Sequence, residues 1–81
     1  MTPAQCRAAR SFIGLSQSQL GFMAVVPLGT IIDFEAGAMT PNDEELDALQ
    51  DALEWAGIEF IEDGVKLRKR ANEQRRKRTP L

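Results

Sequence analysis

The sequence predicts a mainly α-helical domain of four short helices, followed by a β-hairpin and a basic tail. Three observations carry this expectation. Helix-start signals recur at Thr2-Pro3, Ser16 and Thr40-Pro41, and glycine stops recur at Gly14, Gly37 and Gly57. Between them, apolar residues fall three and four apart, the spacing of one helical face. After Gly57 that period gives way to alternation around Asp63-Gly64, a pattern that marks a hairpin.

The first helix opens at Thr2 and runs to about Ile13. Threonine caps, Pro3 suits a first turn that has no use for its missing N–H, and Gln5 completes a capping box. Cys6, Ala9 and Ile13 share a face, with Phe12 beside them. Ser16 and Gln19 form a second capping box ahead of a helix over about Gln17 to Ala24, where Leu20 and Ala24 face one way and Met23 lies at the margin. A third helix opens at Pro27 or Leu28 and ends near Ala36, with Ile31 and Phe34 on its apolar face and Gly37 at the left-handed position beyond it. Thr40-Pro41 starts a fourth, with Asn42, Asp43, Glu44 and Glu45 in the turn that the helix dipole favours for negative charge. Leu46, Leu49, Leu53 and Ala56 line it. Ile58, Phe60, Val65 and Leu67 then alternate about Asp63-Gly64, which is expected to supply the positive φ of a tight turn. Ile61 points away from the Ile58/Phe60 face. A lone hairpin is barely stable, so it is expected to pack on the helices or pair with a second copy, giving Ile58, Phe60, Ile61, Val65 and Leu67 as dimerisation candidates.

At 81 residues the chain has room for one small core. Its 43% hydrophobic content fits a globular protein. No apolar run approaches the ~20 residues of a membrane span, so no membrane partner is expected. The opening MTPAQCRAAR lacks a hydrophobic signal region, which gives a cytoplasmic expectation. One cysteine makes no internal disulfide, consistent with a reducing compartment. Histidine is absent, which removes the commonest metal ligand and general base. Cys6 has no base to activate it and reads as a buried structural thiol. Asp43, Glu44, Glu45, Asp47 and Asp51 crowd one helix and read as a solvated acidic face rather than a calcium loop. No enzymatic activity, cofactor or metal is therefore expected.

Two helices joined by a three- or four-residue turn between Ser16 and Gly37 form a helix-turn-helix. In this stretch the chain resembles the Cro and phage-repressor (XRE-type) family of DNA-binding regulators, whose pattern is matched at Leu15, Ser16, Gln17, Leu20, Ala24, Val26, Thr30, Ile31, Glu35 and Gly37. The likeness runs from Met1 to about Leu67. It implies a lambda-repressor-like fold that binds double-stranded DNA as a homodimer on an inverted repeat, with a repressor as the expected role. It further implies that Gln17 anchors a phosphate or base edge, and that Leu28, Gly29, Thr30, Ile32 and Asp33 face the major groove. Gln19 is a candidate for adenine. The chain departs from the family where a turn glycine is usual and Val25 stands, where serine is common and Pro27 stands, and where polar residues are common and Leu28 and Ile32 stand.

Charge is sharply divided. Residues 1–65 hold Arg7 and Arg10 against eleven carboxylates, whereas residues 66–81 hold eight cations against Glu73 alone. No Lys or Arg lies between Arg10 and Lys66, so bidentate guanine contacts from the third helix are excluded. Phosphate attraction is expected from Arg7, Arg10 and the tail, beginning with Lys69 and Arg70. Leu28 and Ile32 would meet thymine methyls, and Thr30 a phosphate or base. The resemblance implies a DNA-binding domain with its hairpin over 1–68, and the charge run leaves a basic tail over 69–81, too charged to pack. An alternative stays open: a helix-turn-helix protein that docks a protein partner, as an antiactivator or antitoxin-like subunit does, through Leu28, Ile31 and Ile32 beside Phe22 and Met23. In that weighing Ile31, Phe34 and Met23 also read as core.

Overall fold

The computed structural model describes residues 1–68; the tail over 69–81, with Lys69 and Arg70, lies outside the described residues. Four helices, α1 (Pro3–Ile13), α2 (Gln17–Ala24), α3 (Leu28–Glu35) and α4 (Asp43–Trp55), precede an antiparallel hairpin of β1 (Ile58–Ile61) and β2 (Gly64–Leu67). This is the mainly helical architecture expected from the residue pattern. No helix among the described residues is long and apolar enough to cross a membrane.

Three helices begin with a complete capping box, in which the cap side chain accepts an N–H three residues on and that residue's side chain reaches back. The pairs are Thr2/Gln5, Ser16/Gln19 and Asn42/Glu45. The third corrects the expected start at Thr40-Pro41. Thr40 is followed three residues on by Asp43, not by the longer Glu or Gln that a capping box requires, whereas Asn42 meets Glu45. Of the two expected first residues of α3, Leu28 begins the helix and Pro27 is its N-cap, with a carbonyl that accepts the N–H groups of Thr30 and Ile31.

The core takes a few residues from every layer: Cys6 and Ala9 from α1, Leu20 from α2, Val26 from the turn, Ile31 and Phe34 from α3, Leu49, Ala52 and Leu53 from α4, and Ile58 from β1. Helix α2 packs against both α3 and α4, while α1 bridges α3 and β2. The α2–α3 approach is close. A Cβ built on Gly21 would stand 2.8 Å from the Val26 carbonyl and 3.3 Å from the Ile31 side chain, so this helix position admits only glycine without a shift of backbone.

The hairpin pairs Ile58 with Leu67, Glu59 with Lys66, Phe60 with Val65 and Ile61 with Gly64. Glu62 and Asp63 therefore form the loop, and neither they nor Gly64 has positive φ, contrary to the expected Asp63-Gly64 centre. The turn is held from outside. The Gln5 amide nitrogen donates to the Ile61 carbonyl at 2.7 Å and to the Gly64 carbonyl at 3.0 Å, so α1 clasps both ends of the loop.

Candidate nucleic-acid interface

The connection between α2 and α3 is three residues long, Val25 to Pro27. Val25 turns the chain in the left-handed region (φ 57°, ψ 47°), and its N–H returns to the Gly21 carbonyl. It is the one non-glycine residue with positive φ among the described residues, and a β-branched side chain there is strained. This turn aims the first residues of α3 outward. Leu28 (42% exposed) and Ile32 (43%) lie one helical turn apart on the same face. Gly29 is exposed with open space where a side chain would stand, and Thr30 and Asp33 are half-buried beside them. Ile31 is fully buried, so it belongs to the core and is removed from the set of docking residues.

The inner side of α3 is fixed by Glu35, whose side chain is 4% exposed. Its Oε1 accepts from Arg10 Nη2 at 2.8 Å and from Gln17 Nε2 at 3.0 Å; its Oε2 accepts from Arg10 Nε at 2.8 Å and from Cys6 Sγ at 3.1 Å. The Glu35 backbone carbonyl accepts from Arg7. One carboxylate thus ties α1, α2 and α3 together. Burial alone would raise its pKa, but the hydrogen bonds from Arg10, Cys6 and Gln17 and the Arg10 charge hold it below the ordinary glutamate value. Burial, then the hydrogen bond and charge of Glu35, push the Cys6 thiol up to about 12. It is a structural thiol, as its place on the apolar face of α1 suggested.

These contacts revise the expected cationic contribution. Arg10 directs its guanidinium inward, to Glu35 and the Leu15 carbonyl, so it is a scaffold residue instead of a phosphate contact. Gln17 is half-buried, and its amide nitrogen is engaged by Glu35 instead of standing free for a phosphate or base edge. Gln19 is exposed, its side-chain oxygen held by the Ser16 N–H. Each described cation has a partner: Arg7 and Arg10 at Glu35, Lys66 at 3.8 Å from Glu59, and Arg68 on the Glu54 carbonyl at 2.6 Å.

The dimerisation candidates divide between two faces. Ile58 is fully buried and has no surface to offer a partner; Phe60 and Val65 pack against the core from the same side of the sheet. Ile61 (41% exposed) and Leu67 (55%) retain open apolar surface. No protein-family model matches the chain, and no curated protein matches it.

Proposed function

We propose that the chain is a sequence-specific DNA-binding regulator, a repressor in its expected role, in which α2 and α3 form a helix-turn-helix of lambda-repressor-like type. The observation that carries this reading is the presentation of α3. A short helix is locked on its inner side by Glu35 and reached through a tight turn, and its first turns stand open at Leu28, Gly29, Thr30 and Ile32. In such motifs the N-terminal part of the second helix meets base edges in the major groove. Leu28 and Ile32 would contact thymine methyls and Thr30 a phosphate or base, while Gln19 would approach from α2. Asp33 at the edge of this face would disfavour phosphate and so restrict how the helix lies in the groove.

Affinity in this reading comes from the basic segment that follows Arg68, because the described cations are already engaged. Dimer formation would use Ile61, Leu67 and the free edge of the hairpin, bringing two α3 helices about 34 Å apart, one turn of duplex. Selection of bound sequences from random duplex DNA, run at two salt concentrations, tests the reading. Enrichment of a short inverted repeat is the expected outcome; retention of DNA with no enriched sequence would end the claim of specificity. Leu28→Ala, Thr30→Ala and Ile32→Ala are each expected to change the selected sequence while leaving the thermal midpoint within a few degrees. These side chains are at most half-buried and lie outside the core.

A further inference from the structure

The outer face of α4 is covered by no other element among the described residues. Glu44, Asp47 and Asp51 are exposed, Trp55 is 81% exposed, and their spacing of three and four residues sets them along one side of the helix. Helix α4 carries six carboxylates and no cation. The ion pairs among the described residues, Arg10 with Glu35 and Lys66 with Glu59, both lie elsewhere.

A second observation shows what stands within reach of this face. The Arg68 N–H donates to the Gly57 carbonyl at 2.7 Å, and its guanidinium donates to the Glu54 carbonyl at 2.6 Å. The first residue after the hairpin thus lies against the C-terminal end of α4. There it supplies the cation that the last turn of the helix lacks and that the helix dipole favours. Beyond Arg68, residues 69–81 hold six cations against Glu73 alone. At full extension a segment of that length reaches about 40 Å, twice the roughly 20 Å length of α4.

We infer that residues 69–81 dock in cis on the outer face of α4, with Lys and Arg side chains on Glu44, Asp47 and Asp51 and a guanidinium over the Trp55 ring. Tethering favours this contact over the same contact with a second copy, because a linked segment meets its site at an effective concentration on the order of millimolar. Exposed ion pairs are individually weak and screened by salt, so the docked segment is a reversible cover. The docking stands apart from the DNA-binding reading; its consequence rests on that reading. A docked tail hides the cations that a duplex needs, so a duplex must displace it from α4 to be held.

A nitroxide attached at Thr79→Cys in the full chain tests the docking. Cys6 is buried with its thiol pushed up to about 12, so the label goes to position 79. At low salt, broadening of amide signals is expected to be strongest over residues 44–55. It should disappear by about 1 M salt, where the screening length is about 3 Å. It should also be lost in Glu44→Gln/Asp47→Asn/Asp51→Asn, whose exposed positions leave the core intact. No broadening, broadening strongest elsewhere, or broadening that survives the triple substitution would each overturn the inference. Broadening of an unlabelled, isotope-enriched chain mixed with the nitroxide-bearing one would overturn it in favour of a second copy. Random duplex DNA added at low salt should abolish the broadening over α4, and its persistence with duplex bound would refute the competition. If no duplex is bound, the DNA-binding reading fails while the first measurements still decide the docking.

Discussion

At the scale of single residues, Glu35 and Val25 have opposite effects on the same helix. Glu35 is a buried carboxylate with four side-chain donors, and removing one partner of a buried pair costs about 3–5 kcal/mol because the remaining charge is left without compensation. Arg10→Met is therefore expected to bring a domain of this size close to unfolding, while Arg10→Met with Glu35→Leu should recover most of the loss. The native carboxyl titrates below its ordinary value of 4.5, so Glu35 contributes stability that is complete above that value and is lost as pH falls through the depressed native pKa. Urea midpoints measured from pH 7 down to pH 3 should fall more steeply in the parent than in the double variant. Val25 works the other way. Left-handed backbone costs a non-glycine residue about 1–2 kcal/mol, and glycine's greater freedom in the unfolded chain returns about 0.5–1 kcal/mol of that. Val25→Gly should raise stability by about 0.5–1 kcal/mol, read as a higher urea midpoint.

At the scale of elements, the helices were legible because their signals are local. Capping pairs three residues apart, a first-turn proline and a glycine in the left-handed position each act within one or two turns, so the ends of α1, α2 and α3 fall within about a residue of expectation. The faces were legible for the same reason: Cys6, Ala9, Leu20, Ile31, Phe34, Leu49 and Leu53 all entered the core. What sequence alone concealed was contact between distant segments. Asp63-Gly64 is a turn signal, yet the loop is Glu62-Asp63, because Gln5 from the far end of the chain holds Ile61 and Gly64. The candidate site shows the same limit. The resemblance put Leu28 and Ile32 on the outer face, whereas the inward direction of Arg10 and Gln17 depends on where Glu35 comes to rest, twenty-five and eighteen residues away. Gln5→Ala should loosen the hairpin together with the first turn of α1, whose capping box loses the Gln5 side chain. Amide exchange in β1 and β2 is expected to quicken while α2 and α3 keep their protection, and the global loss should be about 1–2 kcal/mol for the hydrogen bonds removed.

For the molecule as a whole, the electrostatic division sets the conditions under which DNA would be bound. Residues 1–68 contain four cations, each engaged, and eleven carboxylates, so a duplex approaching this surface alone meets net repulsion. Six of the chain's ten cations lie in residues 69–81. Because each phosphate contact adds nearly one unit to the slope of log affinity against log salt, removal of residues 70–81 should weaken binding to all sequences alike and flatten that slope. A slope that survives the deletion would show that the domain itself holds the backbone.

The clasp of Gln5 on Ile61 and Gly64 joins positions 59 residues apart at most, nearly the span of the described chain. A nascent polypeptide makes its first residues long before its last, so α1 must wait on the ribosome with its amide unanswered until the hairpin emerges. Closure of the α1 face is consequently tied to the emergence of the hairpin, and a product cut short before Gly64, however well its early helices form, is left with an open seam along α1.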